Sequence, residues 1–548
     1  MPIDIDDLRQ YKGGNPEAVR ESERRRFADP AKVDEIIALD EKWRLMRGSV
    51  DDMRRDKGKI SKQIPARKKA KEPIDDLLAA SKEMTKKIAE TEQEMKGVEA
   101  TVKKMLGHLG NYVHDSVPVF KDEEDENGND QNVTVSVNKL AERRVSPVLY
   151  DGVTANPLAA ELPGGLPTAQ PGAGPGGALL QHCDVLRRLE GFSPERGSRI
   201  AGARTYFLRG VGVALNYALQ QYAMNYLVEK DYTLLQPPYF MNQSVMGGVA
   251  QLEDYNETLY HVTGATGEEG EENSKYLIAT SEQPICAYHK DDWFHEKNLK
   301  ETPVKYGGIS TCFRKEAGKG GKDMRGIFRV HQFEKIEQFI ICHPEDSWEM
   351  HEVMSKQAEG FTNSLGLPYR VVNIVSGELN NAAAKKYDLE AWFPFESAFR
   401  ELVSCSNCLD YQSRSMNIRV GEKNADARKK GAKDGKVKFE KKRYVHMLNA
   451  TLCACTRVIC CILENFQTPY GVILPEKLVP YMPPSFLKAN EAGQKYLPYT
   501  AAYAPPAPEK KKGKSKKNKK SGKKKGGAAK DQQVKDVTAK LNDVQVNV

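Results

Sequence analysis

Two neighbouring stretches hold residue types that could do chemistry together. Thr311 to Gly318 reads TCFRKEAG, and Ile327 to Phe339 reads IFRVHQFEKIEQF. Both are β-prone, and the Gly-rich basic segment KGGKDMRG lies between them, which predicts an antiparallel hairpin. Side chains alternate faces along a strand. Arg314 and Glu316 then share one face of the first strand. Arg329, His331, Phe333, Lys335 and Glu337 share one face of the second, with Phe328, Val330 and Ile336 opposite. An Arg fork can hold a phosphate and a carboxylate together. A Glu can accept from an exocyclic amine, a Phe offers a stacking plane, and a second Glu can hold an ammonium. The same residues also suit a laddered surface salt-bridge network, and the hairpin alone leaves both readings open.

FRKEAG, a variable loop and FRVHQFEKIEQF together resemble motif 2 of the class II aminoacyl-tRNA synthetases, and are most similar to the seryl type. Further matches follow in that family's order. LLQPP is similar to the motif 1 strand, and LIATSEQP from Leu277 resembles the TxE loop. YDLEAWFPFESAFRELVSCSNCLDYQSR resembles the segment that closes over ATP. HMLNATLCACTRVICCILENFQ with GVILPEKLVPYM resembles motif 3.

The resemblance implies a serine–tRNA ligase that forms seryl-adenylate from L-serine and ATP. The seryl group then passes to tRNA(Ser), and to tRNA(Sec) where present. It implies catalytic roles for Arg314, bridging the α-phosphate and the substrate carboxylate, and for Arg457, clamping ATP from the opposite side. Glu316 is implied to hold the adenine amine, Phe333 to stack on adenine beside Val330, and Arg329 to reach the γ-phosphate. Lys315, His331, Gln332, Leu402 and Val403 complete the implied ATP contacts, and Glu401 and Ser404 match positions that hold Mg2+ on ATP. For serine the implied contacts are Thr280, Glu282, Arg314, Glu337, Asn449 and Thr451. One departure stands out. Class II motif 3 is glycine-rich before its arginine, whereas NATLCACTR carries no glycine.

These residues need a scaffold, and the expected class is α+β. At 548 residues the chain is too long for one ordinary core. Residues 1–115 are expected to form an antiparallel coiled-coil hairpin, and 116–505 a catalytic domain on an antiparallel sheet flanked by helices. Residues 506–548 are expected to be a disordered basic tail. The hairpin reading rests on a seam stepping by three and four: Ile36, Leu39, Trp43, Met46, Val50, Met53, Lys57, Ile60, Ile64. A second seam runs Met84, Ile88, Thr91, Met95, Val98, Val102, Met105, Leu109. Pro65 is expected to end the first helix. Basic residues such as Arg44, Arg54 and Lys62 flank the seam with acidic ones interleaved, so a spacer rod and an RNA-binding arm fit equally. The family resemblance implies the arm, with residues 30–110 gripping tRNA, and a homodimer.

The net charge of +8 sits in the tail, which carries 14 lysines and four acidic residues from Pro508 onward. Such a tail suits nonspecific RNA attraction or a nuclear localisation signal. The ten cysteines are scattered, several within apolar runs, and a lone CxxC at Cys405 and Cys408 is at most half a zinc site. Buried thiols are expected, with no structural zinc. No apolar run is long enough to cross a bilayer. The acidic start MPIDIDDLRQ argues against a secretory or transit signal. A cytoplasmic protein is expected, with a minor nuclear pool from the tail.

Overall fold

A computed structural model describes residues 3–138, 140, 178–249, 258–262, 274–316, 325–421 and 443–503. The Gly/Pro-rich segment LPGGLPTAQPGAGPGG, the polar segments GATGEEGEENS and GEKNADARKKGAKDGK, and the lysine-rich tail lie wholly or largely outside these residues.

Helix α1 spans Pro16–Arg25, α2 Ala31–Ala70 and α3 Asp75–Leu106. The last two form the predicted hairpin. Ile36, Val50, Val98 and Val102 are buried on its seam, while the faces between seam positions are exposed. Pro65 does not end α2, which runs on to Ala70 with the proline inside it. Lys71 then closes the helix in the left-handed region at φ +58°.

Below the hairpin, α1 docks it on the body through a buried cation. The Arg26 guanidinium donates to Asn111 O (3.0 Å), Leu379 O (3.3 Å), Asn380 O (3.1 Å) and Ala383 O (2.6 Å). Burial pushes its pKa down to about 10, and Glu23 nearby works the other way. Asn111 extends the joint by donating its amide to Ala382 O and Cys408 O, both at 2.8 Å.

The body is built on an eight-stranded sheet. Its strands are β1 (Val133–Val137), β2 (Thr233–Leu235), β3 (Val304–Phe313), β4 (Gln332–Cys342), β5 (Tyr369–Asn373), β6 (Lys385–Phe393), β7 (Ala398–Asn407) and β8 (His446–Ala454). The spatial order is β1-β5-β6-β7-β8-β4-β3-β2, antiparallel throughout except where β2 runs parallel to β3. Helices α4 (Val211–Val228), α6 (Ser347–Ser364) and α8 (Cys455–Asn465) contribute to the main core, which includes Ile336 and Ile340 of β4. Phe339 and Ile341 join a smaller core with Ile285 of α5 (Glu282–Tyr288) and Met416 of α7 (Tyr411–Met416). Strand β4 is therefore buried on both faces, and any polar group it carries must find partners.

Candidate active site

A cavity of about 1070 Å3 opens over strands β4, β7 and β8. Its walls separate into a cationic, aromatic end and an acidic end.

At the first end the predicted strand faces do not hold. Strand β3 stops at Phe313 and β4 starts at Gln332, so Arg314 to Glu316 and Phe328 to His331 are irregular. Hydrogen bonds bring them together instead. Arg314 N donates to His331 O (2.9 Å), His331 Nδ1 lies 3.0 Å from Arg314 O, and Arg314 Nε donates to Ala279 O (3.3 Å). The Arg314 guanidinium rests 5.3 Å from the Phe333 ring centre. Glu316 adopts φ +48°, uncommon for a residue with a Cβ, and its carboxylate lies 3.6 Å from Arg329. Freed from strict alternation, Val330 lines the same cavity as Phe333 rather than the opposite face. Arg457, in the first turn of α8, donates to Glu401 O (2.9 Å) and Glu401 Oε2 (3.1 Å) and lies 4.8 Å from the Phe328 ring centre. Burial opposes the charge on Glu401, but Arg457 and Lys386 outweigh it and hold the carboxyl well below the usual range. Behind it, Asp388 faces Ser404 across β6 and β7, and burial pushes its carboxyl up.

The acidic end is centred on Glu337, 2% exposed. Its Oε2 accepts from Thr280 Oγ1 (2.5 Å), Lys335 Nζ (2.7 Å) and Ser281 Oγ (3.4 Å). Glu282 Oε1 accepts from Gln412 Nε2 (2.6 Å) and Asn449 Nδ2 (2.8 Å). Burial, reinforced by the Glu337 charge, pushes the Glu282 carboxyl up to about 7. Thr451 sits opposite Glu337 in register on β8. Each carboxylate thus has one oxygen occupied by protein donors.

The structure brings to one cavity Thr280, Glu282, Arg314, Glu316, Arg329, Val330, Phe333, Glu337, Glu401, Leu402, Ser404, Asn449, Thr451 and Arg457. Four expected ATP contacts are not on its wall. The Lys315 backbone amide donates to Thr258 O, and His331 braces the Arg314 backbone. Gln332 is exposed at the start of β4, and Val403, alternating with Leu402 and Ser404, is buried in the main core. The sequence reading assigned no role to Lys335, Ser281 or Gln412. Lys335 had a signal, since it shares the face of Phe333 and Glu337; Gln412 had none, because only the fold brings α7 to the TxE loop. All ten cysteines are free and buried. Among the described residues no helix is long and apolar enough to cross a membrane.

Two family models match the chain: the seryl-tRNA synthetase N-terminal domain over residues 3–113, and the tRNA synthetase class II core domain (G, H, P, S and T) over 260–466. A cytoplasmic serine–tRNA ligase of Dictyostelium discoideum is 44% identical over 90% of this chain and 97% of its own length. This chain belongs to the seryl-tRNA synthetase family. It is an aminoacyl-tRNA ligase, joining serine to tRNA with ATP. The cytoplasmic serine–tRNA ligase of Saccharomyces cerevisiae is 45% identical over 88% of this synthetase and 96% of its own length. Among solved structures, the cytoplasmic serine–tRNA ligase of Naegleria fowleri in complex with AMP is similar with a TM-score of 0.70 and 42% identity, covering 91% of this chain and 99% of that one. The seryl-tRNA synthetase of Pyrococcus horikoshii complexed with ATP gives 0.71 and 35%, covering 90% and 99%. These relatives lend no support to a nuclear pool.

The pair of carboxylates makes the empty synthetase pH-sensitive. Glu282 has a folded pKa of about 7, above the ordinary 4.5, so the folded state holds its proton more tightly. Its ionisation therefore costs stability as pH rises from about 4.5 to about 7. Glu282→Gln should be more stable than the parent at pH 8, by about 1–3 kcal/mol, with the advantage shrinking towards pH 5.5. Unfolding curves of the ligand-free protein at several pH values check this, and a pH-independent difference would contradict it.

Proposed function

We propose that the two ends of the cavity divide the substrates between them. Serine takes the acidic end, with its ammonium and hydroxyl held by Glu282, Glu337 and Thr280 and the pocket closed by Asn449 and Thr451. ATP takes the cationic end, with adenine on Phe333, its amine at Glu316, the γ-phosphate near Arg329 and Arg457 on the opposite side. Arg314 lies between them and reaches both the α-phosphate and the serine carboxylate. That carboxylate attacks the α-phosphorus, the bond to pyrophosphate breaks, and seryl-adenylate forms. The terminal ribose hydroxyl of tRNA then attacks the seryl carbonyl and AMP leaves. No side chain becomes covalently attached; position and fixed positive charge lower the barrier. The observation that carries this reading is the polarity of the cavity, with Arg314, Arg329 and Arg457 towards one end and the buried Glu337 and half-buried Glu282 at the other.

Glu401 and Ser404 present hard oxygen donors on the cavity wall, a set that suits Mg2+ shared with phosphate oxygens. The ion would supply charge neutralisation on the phosphates. The remaining assignments belong to the same proposal. Residues 1–115 are the arm, of which 30–110 grip tRNA, 116–505 are the catalytic domain, and the enzyme is a cytoplasmic homodimer. The tail from 506 adds weak, nonspecific attraction to RNA.

Three experiments test these parts. Serine should drive exchange between pyrophosphate and ATP, and Arg314→Ala should cut that exchange by about a thousandfold without changing the unfolding midpoint. Exchange driven by another amino acid instead would overturn the substrate assignment. A protein lacking residues 30–110 should still catalyse exchange yet fail to charge tRNA; normal charging would leave the hairpin as a spacer. Removing residues 506–548 should flatten the salt dependence of RNA binding, and an unchanged slope would deny the tail that role.

A further inference from the structure

The acidic end contains a buried cation that the reaction above does not use. Lys335 is 6% exposed, lines the cavity, and sits two residues before Glu337 on β4. Burying an ammonium is unfavourable unless it is well paired, and among the described residues Lys335 pairs with one atom, Glu337 Oε2, at 2.7 Å. The hydroxyls of Thr280 and Ser281 converge on that same oxygen. Three donors leave Oε2 no room for a substrate, whereas Oε1 accepts from none of the described residues.

We propose that Lys335 is a positioning residue for serine recognition: it holds the Glu337 carboxylate in one orientation, so that Oε1 alone is offered to the substrate. This rests on the reading of the acidic end as the serine site. A single, fixed, charged acceptor discriminates by the donor it requires. A substrate lacking that donor leaves a buried charge unpaired, which is heavily penalised. A carboxylate free to turn would offer either oxygen, admit water and lose that penalty.

Removing the ammonium changes the charges around Glu337. Glu282 faces it from α5 with like charge, Arg314 lies beyond β3, Cys312 is a neutral thiol, and Thr280, Ser281 and Thr451 are neutral. Without the ammonium, Glu337 Oε2 keeps only the hydroxyls of Thr280 and Ser281, and the carboxylate is no longer held in one orientation.

The test measures serine-dependent pyrophosphate–ATP exchange for the full-length parent, Lys335→Met, Lys335→Gln and Lys335→Arg, with alanine as the competing amino acid. Both neutral variants should raise the KM for serine by about tenfold or more, leave the KM for ATP within about twofold, and lose preference for serine over alanine. Lys335→Arg, which keeps the charge, should lose less than Lys335→Gln. Should the Met variant not fold, the Gln variant carries the same expectation. An unchanged KM for serine overturns the proposal, as does a loss that falls equally on serine and ATP. Parent enzyme without serine-dependent exchange would overturn the site assignment on which the proposal rests.

Discussion

A carboxylate held at 2% exposure in the middle of a sheet is the constraint on which the site depends. Glu337 stands on a strand whose neighbours Ile336 and Phe339 are fully buried, so its charge survives only if donors are brought to it. Lys335 comes with the strand itself. Thr280 and Ser281 must be delivered by another segment, and the fold delivers them by lacing the TxE loop to the end of β3: Phe313 N donates to Ile278 O, and Ala279 N to Gln283 Oε1. The requirement that Glu337 be satisfied is thus also what places Thr280, Glu282 and Arg314 around one space.

The same network reaches the hairpin. Gln412, which holds Glu282, follows Tyr411, whose hydroxyl donates to Leu109 O at the base of the arm. Asn111 bridges Ala382 O and Cys408 O, while Arg26 binds the carbonyls of 379, 380 and 383. Lys103, Lys104 and Gly107 at that base, with Asn380 and Ala382 of the body, also line the cavity. The arm is therefore joined to the body by buried polar groups with fixed partners, and its base forms part of the wall of the site.

Much of this was legible in the sequence, for reasons that differ from part to part. The hairpin was legible because a seam stepping by three and four leaves few alternatives, and Ile36, Val50, Val98 and Val102 are buried on it. Its end was misread at Pro65 because a local rule about proline met a helix already held by its partner. The site residues were legible mostly through resemblance to a family, since strand alternation placed Val330 on the face opposite Phe333. Alternation fails there because the strands stop at Phe313 and start at Gln332, and hydrogen bonds from His331 and a left-handed Glu316 take over. Gln412 was invisible because its contact with Glu282 spans 130 residues. Lys335 was visible but had no assigned task until its bond to one oxygen of Glu337 was known.

The central claim is that the cavity is polar along its length, amino acid at the carboxylates and nucleotide at the arginines. A crystal structure with a non-hydrolysable sulfamoyl analogue of seryl-adenylate tests it most directly. The account predicts the seryl group at Glu282, Glu337 and Thr280, with Glu337 Oε1 receiving a substrate donor, Arg314 on the sulfamoyl group and adenine against Phe333. An analogue bound in the reverse sense, or with its amino and hydroxyl groups away from both carboxylates, would contradict it.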